Sequence, residues 1–447
     1  MENSMSEFDA IRPYYDHEVP DVLARLVASR ELAQAASQLV MPGWLGNRSL
    51  GRWLTRSVLR LKTRNLKSIR DCQNVVAGLF ETVIDRSIDR LSVSGLDRLS
   101  PNDHYLFISN HRDILMDSSL LNYLLQEAGH DTCRMAVGDN LLSNTLAADL
   151  MRLNKSFVVE RSVAGARAQY RALSRTSRYV QQSLQQGISV WIAQRQGRAK
   201  DGFDRTDPAL LKMLLLAYRD KNAADLPMQR MLQVAPAVPV SVSYELDPCG
   251  TSKAHELAVI DEQGGYEKSP QEDLESMVKG LMGHKGRVRL TFGEPISRAS
   301  SAEELAAQLD QSIVANTRLY PTHRYAKMVL ENGPTQELEN HPAVQHLTAE
   351  LHAIPSAERP YLLQQYASSA EELAAQLDQS IVANTRLYPT HRYAKMVLEN
   401  GPTQELENHP AVQHLTAELH AMPSAERPYL LQQYANIWRN RDELNIV

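Results

Sequence analysis

The sequence predicts an α/β fold, a mixed sheet flanked by helices, on three observations. Between residues 91 and 298 short apolar runs alternate with helical stretches, the pattern of strands separated by helices. Residues 1–90 show no strand alternation and read as mostly helical. Beyond residue 298 the chain reads as helix written out twice, because residues 299–366 recur as 367–434 with a single change, Ile354 to Met422.

Within the N-terminal helical region, Arg48, Arg52, Arg56, Arg60, Lys62, Arg64, Lys67 and Arg70 form a basic stretch that no acidic residue interrupts. Trp53, Leu54, Val58, Leu61 and Ile69 fall at helical spacing beside them. Such a helix can lie on an anionic lipid surface, where each basic residue contributes on the order of 1 kcal/mol. A helix packed on the core by that apolar stripe, its arginines paired with acids elsewhere, fits the same pattern.

The candidate strands are HYLFISN (104–110), SFVVE (156–160), ISVWIA (188–193), AVPVSVSYE (237–245) and RVRLTF (287–292). Each is a short run rich in branched and aromatic residues. In the first repeat copy, Ser301 and Glu304 have the spacing of a capping box, and Leu305, Leu309 and Ile313 follow at helical intervals. Two copies fall short of the three or so that a solenoid needs. They read as a recent tandem duplication, in which the first copy docks and the second is a surplus helical appendage or a competitor for the same groove. The expected divisions are a helical region (1–90), an α/β domain (91–298), the two copies (299–366 and 367–434) and a tail (435–447).

The composition excludes several functions. Hydrophobic residues make up 43% of the 447 and charged residues 23%, with a formal net charge of −5, which argues against bulk electrostatic binding of nucleic acid. Cys72, Cys133 and Cys249 are scattered without metal-ligand spacing, so neither a disulfide framework nor a zinc site is expected. The opening MENSMSEFDAIRPYYDHEVPDVL lacks the apolar run of an export signal. Nor does any stretch approach the roughly 18 apolar residues of a membrane-spanning helix. A cytoplasmic protein peripheral to the inner face of a membrane is the expectation.

The segment richest in chemistry is YLFISNHRDILMDSSLLNYLL, Tyr105 to Leu125. An apolar strand runs into Asn110, His111, Arg112 and Asp113, and after Asp117 an apolar helix begins. A histidine at a strand end with a carboxylate in reach suits acyl transfer to a hydroxyl: the imidazole takes the proton, and the carboxylate orients the ring and stabilises its charged form. A structural histidine beside a capping aspartate would look the same.

This segment resembles the phospholipid and glycerol acyltransferase family, whose motif is His, four residues, then Asp, and whose members acylate from acyl-CoA or acyl-carrier protein. Here five residues, RDILM, separate His111 from Asp117, which implies an extra residue between strand and helix; Asp113 is the rival partner. The SSLLNYLL after Asp117 matches the apolar helix that follows the family's aspartate and favours Asp117. The resemblance continues in order. NKSFVVERSV supplies a strand ending in Arg161, implied to hold the acceptor phosphate, with Lys155 adding charge nearby. ISVWIAQRQGRAKDG stands where the family has a Pro-Glu-Gly-Thr-Arg type loop, with Gln196 in place of the glutamate, Gly197 at the turn, and Arg198 and Lys200 available to the phosphate. APAVPVSVSYELDP, with Val238, Pro239 and Val240, is the fourth element. The likeness covers roughly residues 90–298, and its wording resembles a bacterial subgroup of the family.

The resemblance implies a glycerol-3-phosphate acyltransferase-like sheet and an enzyme that moves a fatty acyl group to a hydroxyl of a glycerol-phosphate or lysophospholipid acceptor. His111 would be the base, Asp117 or Asp113 its orienter, and Arg161, Gln196, Gly197, Arg198 and Lys200 the acceptor contacts. No metal or cofactor is implied; the partners are the acyl donor, the phospholipid precursor and an anionic membrane surface, without nucleic acid. The irregular His-to-Asp spacing and Gln196 also suit a lipid-binding scaffold that keeps the fold and has lost the catalysis.

Overall fold

Among the described residues four α-helices come first: α1 (Val19–Ala28), α2 (Arg30–Val40), α3 (Ser49–Thr63) and α4 (Ile69–Ser87). In this computed structural model, residues 7–40, 48–142, 145–220, 226–269, 271–384, 413 and 415–417 are described. Ser68 caps α4 by accepting from the Asp71 amide, while the Asp71 carboxylate accepts from the Ser68 amide at 3.0 Å. The basic segment forms α3 and runs on into the start of α4. Its apolar side faces outward: Leu50, Trp53, Val58 and Leu61 are 57%, 63%, 48% and 61% exposed, and only Gly51 and Thr55 of α3 are buried. Of the stripe read from the sequence, Trp53, Val58 and Leu61 thus face outward, Leu54 is half-buried and Ile69, at the start of α4, is buried.

After α4 the chain alternates as β1 (Arg90–Ser94), β2 (Leu106–Ser109), α5 (Met116–Glu127), β3 (Arg134–Gly138), α6 (Thr145–Leu153), β4 (Ser156–Val159), α7 (Ala166–Gln185) and β5 (Val190–Ala193). Then come α8 (Pro208–Leu214), α9 (Pro227–Val234), β6 (Ala237–Tyr244), α10 (Gly250–Gln263), α11 (Glu272–Met282) and β7 (Arg287–Phe292). The strands make one sheet in the order β1-β7-β6-β2-β5-β3-β4. Strands β6, β2, β5, β3 and β4 are mutually parallel, and β7 with β1 runs antiparallel to them. Strand β2 is buried at every position and pairs with β5 on one side and β6 on the other, as continuous apolar runs covered on both faces should. Helices on both faces close two cores, one around Leu106, Ile108 and Phe157, the other around Phe107, Trp191 and Leu290.

All five expected strands form. The two not foreseen, β1 and β3, have weaker patterns: β1 is an edge strand with no buried residue, and β3 opens on Arg134 and ends on Gly138. Lys155 and Arg161, which the sequence reading placed near each other, flank β4 at opposite ends, so the lysine cannot add charge beside the arginine.

The first repeat copy supplies α12 (Ala302–Ala315), α13 (Pro321–Asn332), α14 (Pro342–Ala353) and the start of α15 (Arg359–Asn384). Its Leu305, Leu309 and Ile313 are fully buried. Ser301 caps α12 through the Glu304 amide, whereas the Glu304 carboxylate reaches back to the Ser300 amide rather than to that of Ser301. Contacts divide the chain into Met1–Ala370 and Glu371–Val447. Most of the second copy and the tail at 435–447 lie outside the described residues, so the surplus or competing role expected of that copy does too. Among the described residues no helix is long and apolar enough to cross a membrane.

Candidate active site

Strand β2 sits where the connections of the sheet diverge, between β5 and β6, and its carboxyl end is the edge at which α/β folds place their ligands. Asn110 and His111 follow that end directly. Asn110 is buried and locks the turn: its amide nitrogen donates to Val242 O (3.0 Å) and Asp204 Oδ2 (2.9 Å), and its oxygen accepts from the Val242 amide (2.8 Å). The His111 ring makes a T-shaped contact with the buried Trp191, ring centroids 6.0 Å apart.

His111 Nδ1 lies 2.9 Å from Asp117 Oδ2, with side-chain exposures of 15% and 0%. The same oxygen accepts from the amides of Arg112 (2.7 Å) and Asp113 (2.9 Å). Oδ1 accepts from the fully buried Tyr244 hydroxyl at 2.8 Å. An oxygen already receiving two amide hydrogens can only accept, so the contact fixes Nδ1 as the donor and leaves Nε2 as the basic nitrogen. Burial and the neighbouring Asp117 charge raise the Tyr244 pKa well above its ordinary value, which keeps it a donor.

The rival carboxylate does other work. Asp113 Oδ1 accepts from the amides of Leu115 (3.0 Å) and Met116 (2.9 Å), capping α5. Burial, then the charge of Asp117, push its pKa up. The five-residue spacing is thus absorbed in a turn that Asp113 caps and Asp117 gathers, and of the two it is Asp117 that meets the imidazole.

The loop after β5 is tied to this turn by the Ala199 amide, which donates to His111 O at 2.8 Å. Gly197 has φ +76°, the left-handed conformation that its place in the turn requires. Gln196 beside it is exposed. Arg198 Nη2 reaches Ser276 Oγ on α11 (3.4 Å), while Lys200 forms an ion pair with the buried Glu256 of α10. One turn earlier, the amino end of α11 is held by Asn140, which follows β3 and whose side-chain amide donates to Asp273 Oδ2 at 2.7 Å. Asp273, Ser276 and Gly280 lie on one side of α11, and a Cβ at Gly280 would fall 2.0 Å from Asp113 Oδ2. The helix therefore spans the carboxyl edge from β3 to the β2 turn.

Arg161 follows β4. Its amide donates to Asp139 Oδ2 (2.9 Å), and its guanidinium packs by Gly138, where a Cβ would stand 3.4 Å from Nη1. Burial lowers its pKa against the opposing charge of Asp139. Strand β4 is three ladder steps from β2, roughly 14 Å at about 4.8 Å per step. His111 and the loop at 196–200 are thus brought together directly, and Arg161 stands at the far side of the same edge.

Sequence reasoning missed four contributors. Tyr244 and Asn110 each looked like the end of an apolar strand. Arg112 donates to Asp204 Oδ2 (2.6 Å), Gly202 O (3.0 Å) and Ser369 Oγ (3.1 Å). Lys253, buried on α10, donates to Arg112 O at 2.7 Å and pairs with Asp247. These contacts hold the backbone of the histidine turn from both sides, and they come from positions about 90 to 260 residues away, with no local signal.

A buried carboxylate behind a histidine, at the carboxyl edge of an α/β sheet, defines an acid–base site suited to moving a proton off a hydroxyl. The acyltransferase family model matches residues 90–202, the segment from β1 through the loop after β5. A solved structure similar to the chain is the 1-acyl-sn-glycerophosphate acyltransferase PlsC from Thermotoga maritima: 18% identity over 66% of this chain and 92% of that one, with a TM-score of 0.34. Comparison with curated proteins gives no match.

Proposed function

We propose that the protein transfers a fatty acyl group from acyl-CoA or acyl-carrier protein to a hydroxyl of a glycerol-phosphate or lysophospholipid acceptor. The observation that carries the reading is the His111–Asp117 pair, its carboxylate holding four hydrogen bonds, inside the region that the acyltransferase family model matches. His111 Nε2 takes the proton of the acceptor hydroxyl as that oxygen attacks the thioester carbonyl carbon. The tetrahedral intermediate collapses with cleavage of the carbon–sulfur bond, and the proton passes from Nε2 to the departing sulfur. Asp117 stabilises the imidazolium in between.

Arg161 and Arg198 hold the acceptor phosphate from two sides of the edge, as permanently charged guanidinium groups suit. Gln196 and Gly197 present the loop that carries Arg198, and Lys200 steadies it through Glu256. The outward apolar face of α3, flanked by Arg52, Arg56 and Arg60, seats the protein on an anionic membrane where such acceptors reside.

The test is an acceptor screen with both donor types. Transfer to a lysophospholipid or glycerol phosphate that His111→Ala abolishes, with circular dichroism and melting unchanged, is the expected result. Acceptor binding without transfer from either donor would replace this reading with that of a lipid-binding scaffold.

A further inference from the structure

At the opposite edge of the sheet lies a cavity of ≈ 1080 Å³, large enough for a metabolite, between the segment around Tyr14 and the amino ends of β3, β4 and β5. Arg134 opens β3, Lys155 immediately precedes β4, and both line it. They stand one step before the first β3–β4 pair, Met135 with Ser156, so two cations sit side by side across a ladder, an arrangement that costs stability.

The other arginines lining the cavity are matched. Arg12 pairs with Asp9 and Glu18, and Arg70 with Asp131. Arg134 instead donates to Ser183 Oγ (2.7 Å) and lies over the Tyr179 ring, while the Lys155 ammonium donates to Thr132 Oγ1 (2.7 Å). Neither meets a carboxylate within ion-pair distance among the described residues. Lys155 also holds φ +58°, a left-handed conformation unfavourable to any residue with a side chain beyond asparagine or aspartate. Burial lowers its pKa against the opposing charge of Asp131, with Arg70 and Arg134 adding smaller effects in the direction of burial.

We propose that this cavity binds a phosphate-bearing ligand, with Arg134 and Lys155 gripping the phosphate. The parallel strands separate it from His111 by the full depth of the sheet, so it is a second site, and the inference stands whether or not the acyl-transfer reading does.

The probes are inorganic pyrophosphate, followed by calorimetry, and vesicles of phosphatidylcholine with or without phosphatidic acid, followed by co-sedimentation. Arg134→Gln and Lys155→Asn remove each charge, the asparagine tolerating the left-handed backbone; Arg134→Lys restores one, and Arg198→Gln is the control at the other edge. Saturable pyrophosphate binding, weakened about tenfold or more by either charge removal, recovered in part by Arg134→Lys and unmoved by Arg198→Gln, identifies a soluble phosphate ligand. Loss of phosphatidic-acid-dependent sedimentation in the same two variants, without pyrophosphate binding, identifies a lipid headgroup. The proposal is overturned if neither probe binds, or if binding is unchanged in either folded variant or follows Arg198 instead.

Discussion

Replacing Asp117 by asparagine isolates the charge of the carboxylate from its geometry. The asparagine oxygen can take the place of Oδ2, accepting from His111 Nδ1 and from the amides of Arg112 and Asp113. Its amino group then faces the Tyr244 hydroxyl, which turns from donor to acceptor. The ring keeps its orientation, and what disappears is the negative charge behind an imidazole that becomes positive during transfer. With Nδ1 2.9 Å from Oδ2, the charge centres are about 4 Å apart, and at an effective dielectric of about 20 their attraction is about 4 kcal/mol. Since about 1.4 kcal/mol is a factor of ten in rate, kcat should fall on the order of a thousandfold with KM for both substrates little changed. Asp113→Asn is the matched control: its oxygen can still cap α5, so kcat should stay within a few-fold of the parent. Steady-state acyl transfer, read beside thermal melts, decides the matter. An Asp117→Asn enzyme within tenfold of the parent, or an Asp113→Asn enzyme as impaired as it, would refute the assignment.

Tyr244→Phe deletes one hydrogen bond to a fully buried carboxylate, worth about 1.5–3 kcal/mol, and should lower kcat roughly tenfold or more in the same assay. Arg161→Gln should raise KM for a phosphorylated acceptor by about tenfold or more while leaving an acceptor without phosphate unaffected; equal losses on both would remove Arg161 from the phosphate site. Trp53→Ser with Leu61→Ser should abolish sedimentation with anionic vesicles, since each exposed side chain carries about 1.5–3 kcal/mol of apolar transfer, and binding that ignores both substitutions or salt would discard α3 as the anchor. Burial, then Asp247, raises the Glu350 pKa to about 7 against the opposing charge of Lys279. A raised carboxyl contributes stability below its unfolded value that is lost as pH rises through the folded one. Glu350→Gln should therefore melt higher than the parent above pH ~7, with the gap closing as pH falls towards ~4.5.

The sequence made the centre of the sheet legible because its strands are buried on both faces and therefore continuously apolar. Leu106–Ser109 and Ala237–Tyr244 could hardly be anything else. It hid β1 and β3, where edge position or a charged first residue breaks the pattern. The histidine was legible for a related reason: a polar cluster ending so apolar a strand has to lie at its rim. Which aspartate served it was not, because Asp113 and Asp117 both lie within one turn of the chain, and their roles differ by which backbone amides each faces.

One tripeptide shows how far local sequence can be trusted here. Ala299-Ser300-Ser301 and Ala367-Ser368-Ser369 have identical residues and are followed by sequence that is identical as far as Ala353 and Ala421. In the first, Ser301 is extended and caps α12. In the second, the same residues lie inside α15, where Ser368 Oγ lies 2.8 Å from Gln364 O one turn back and 2.7 Å from Asp201 O, and Ser369 Oγ accepts from Arg112. What differs is the residues before them: Pro295 and the turn after β7 release the chain at Ser301, whereas Tyr361 to Tyr366 deliver Ser369 already helical. A capping signal competes with an incoming helix and loses when no breaker precedes it. The cap that sequence reading found at Ser301 was thus real, and its copy at Ser369, the same by every local criterion, contributes instead to the shell around the histidine turn.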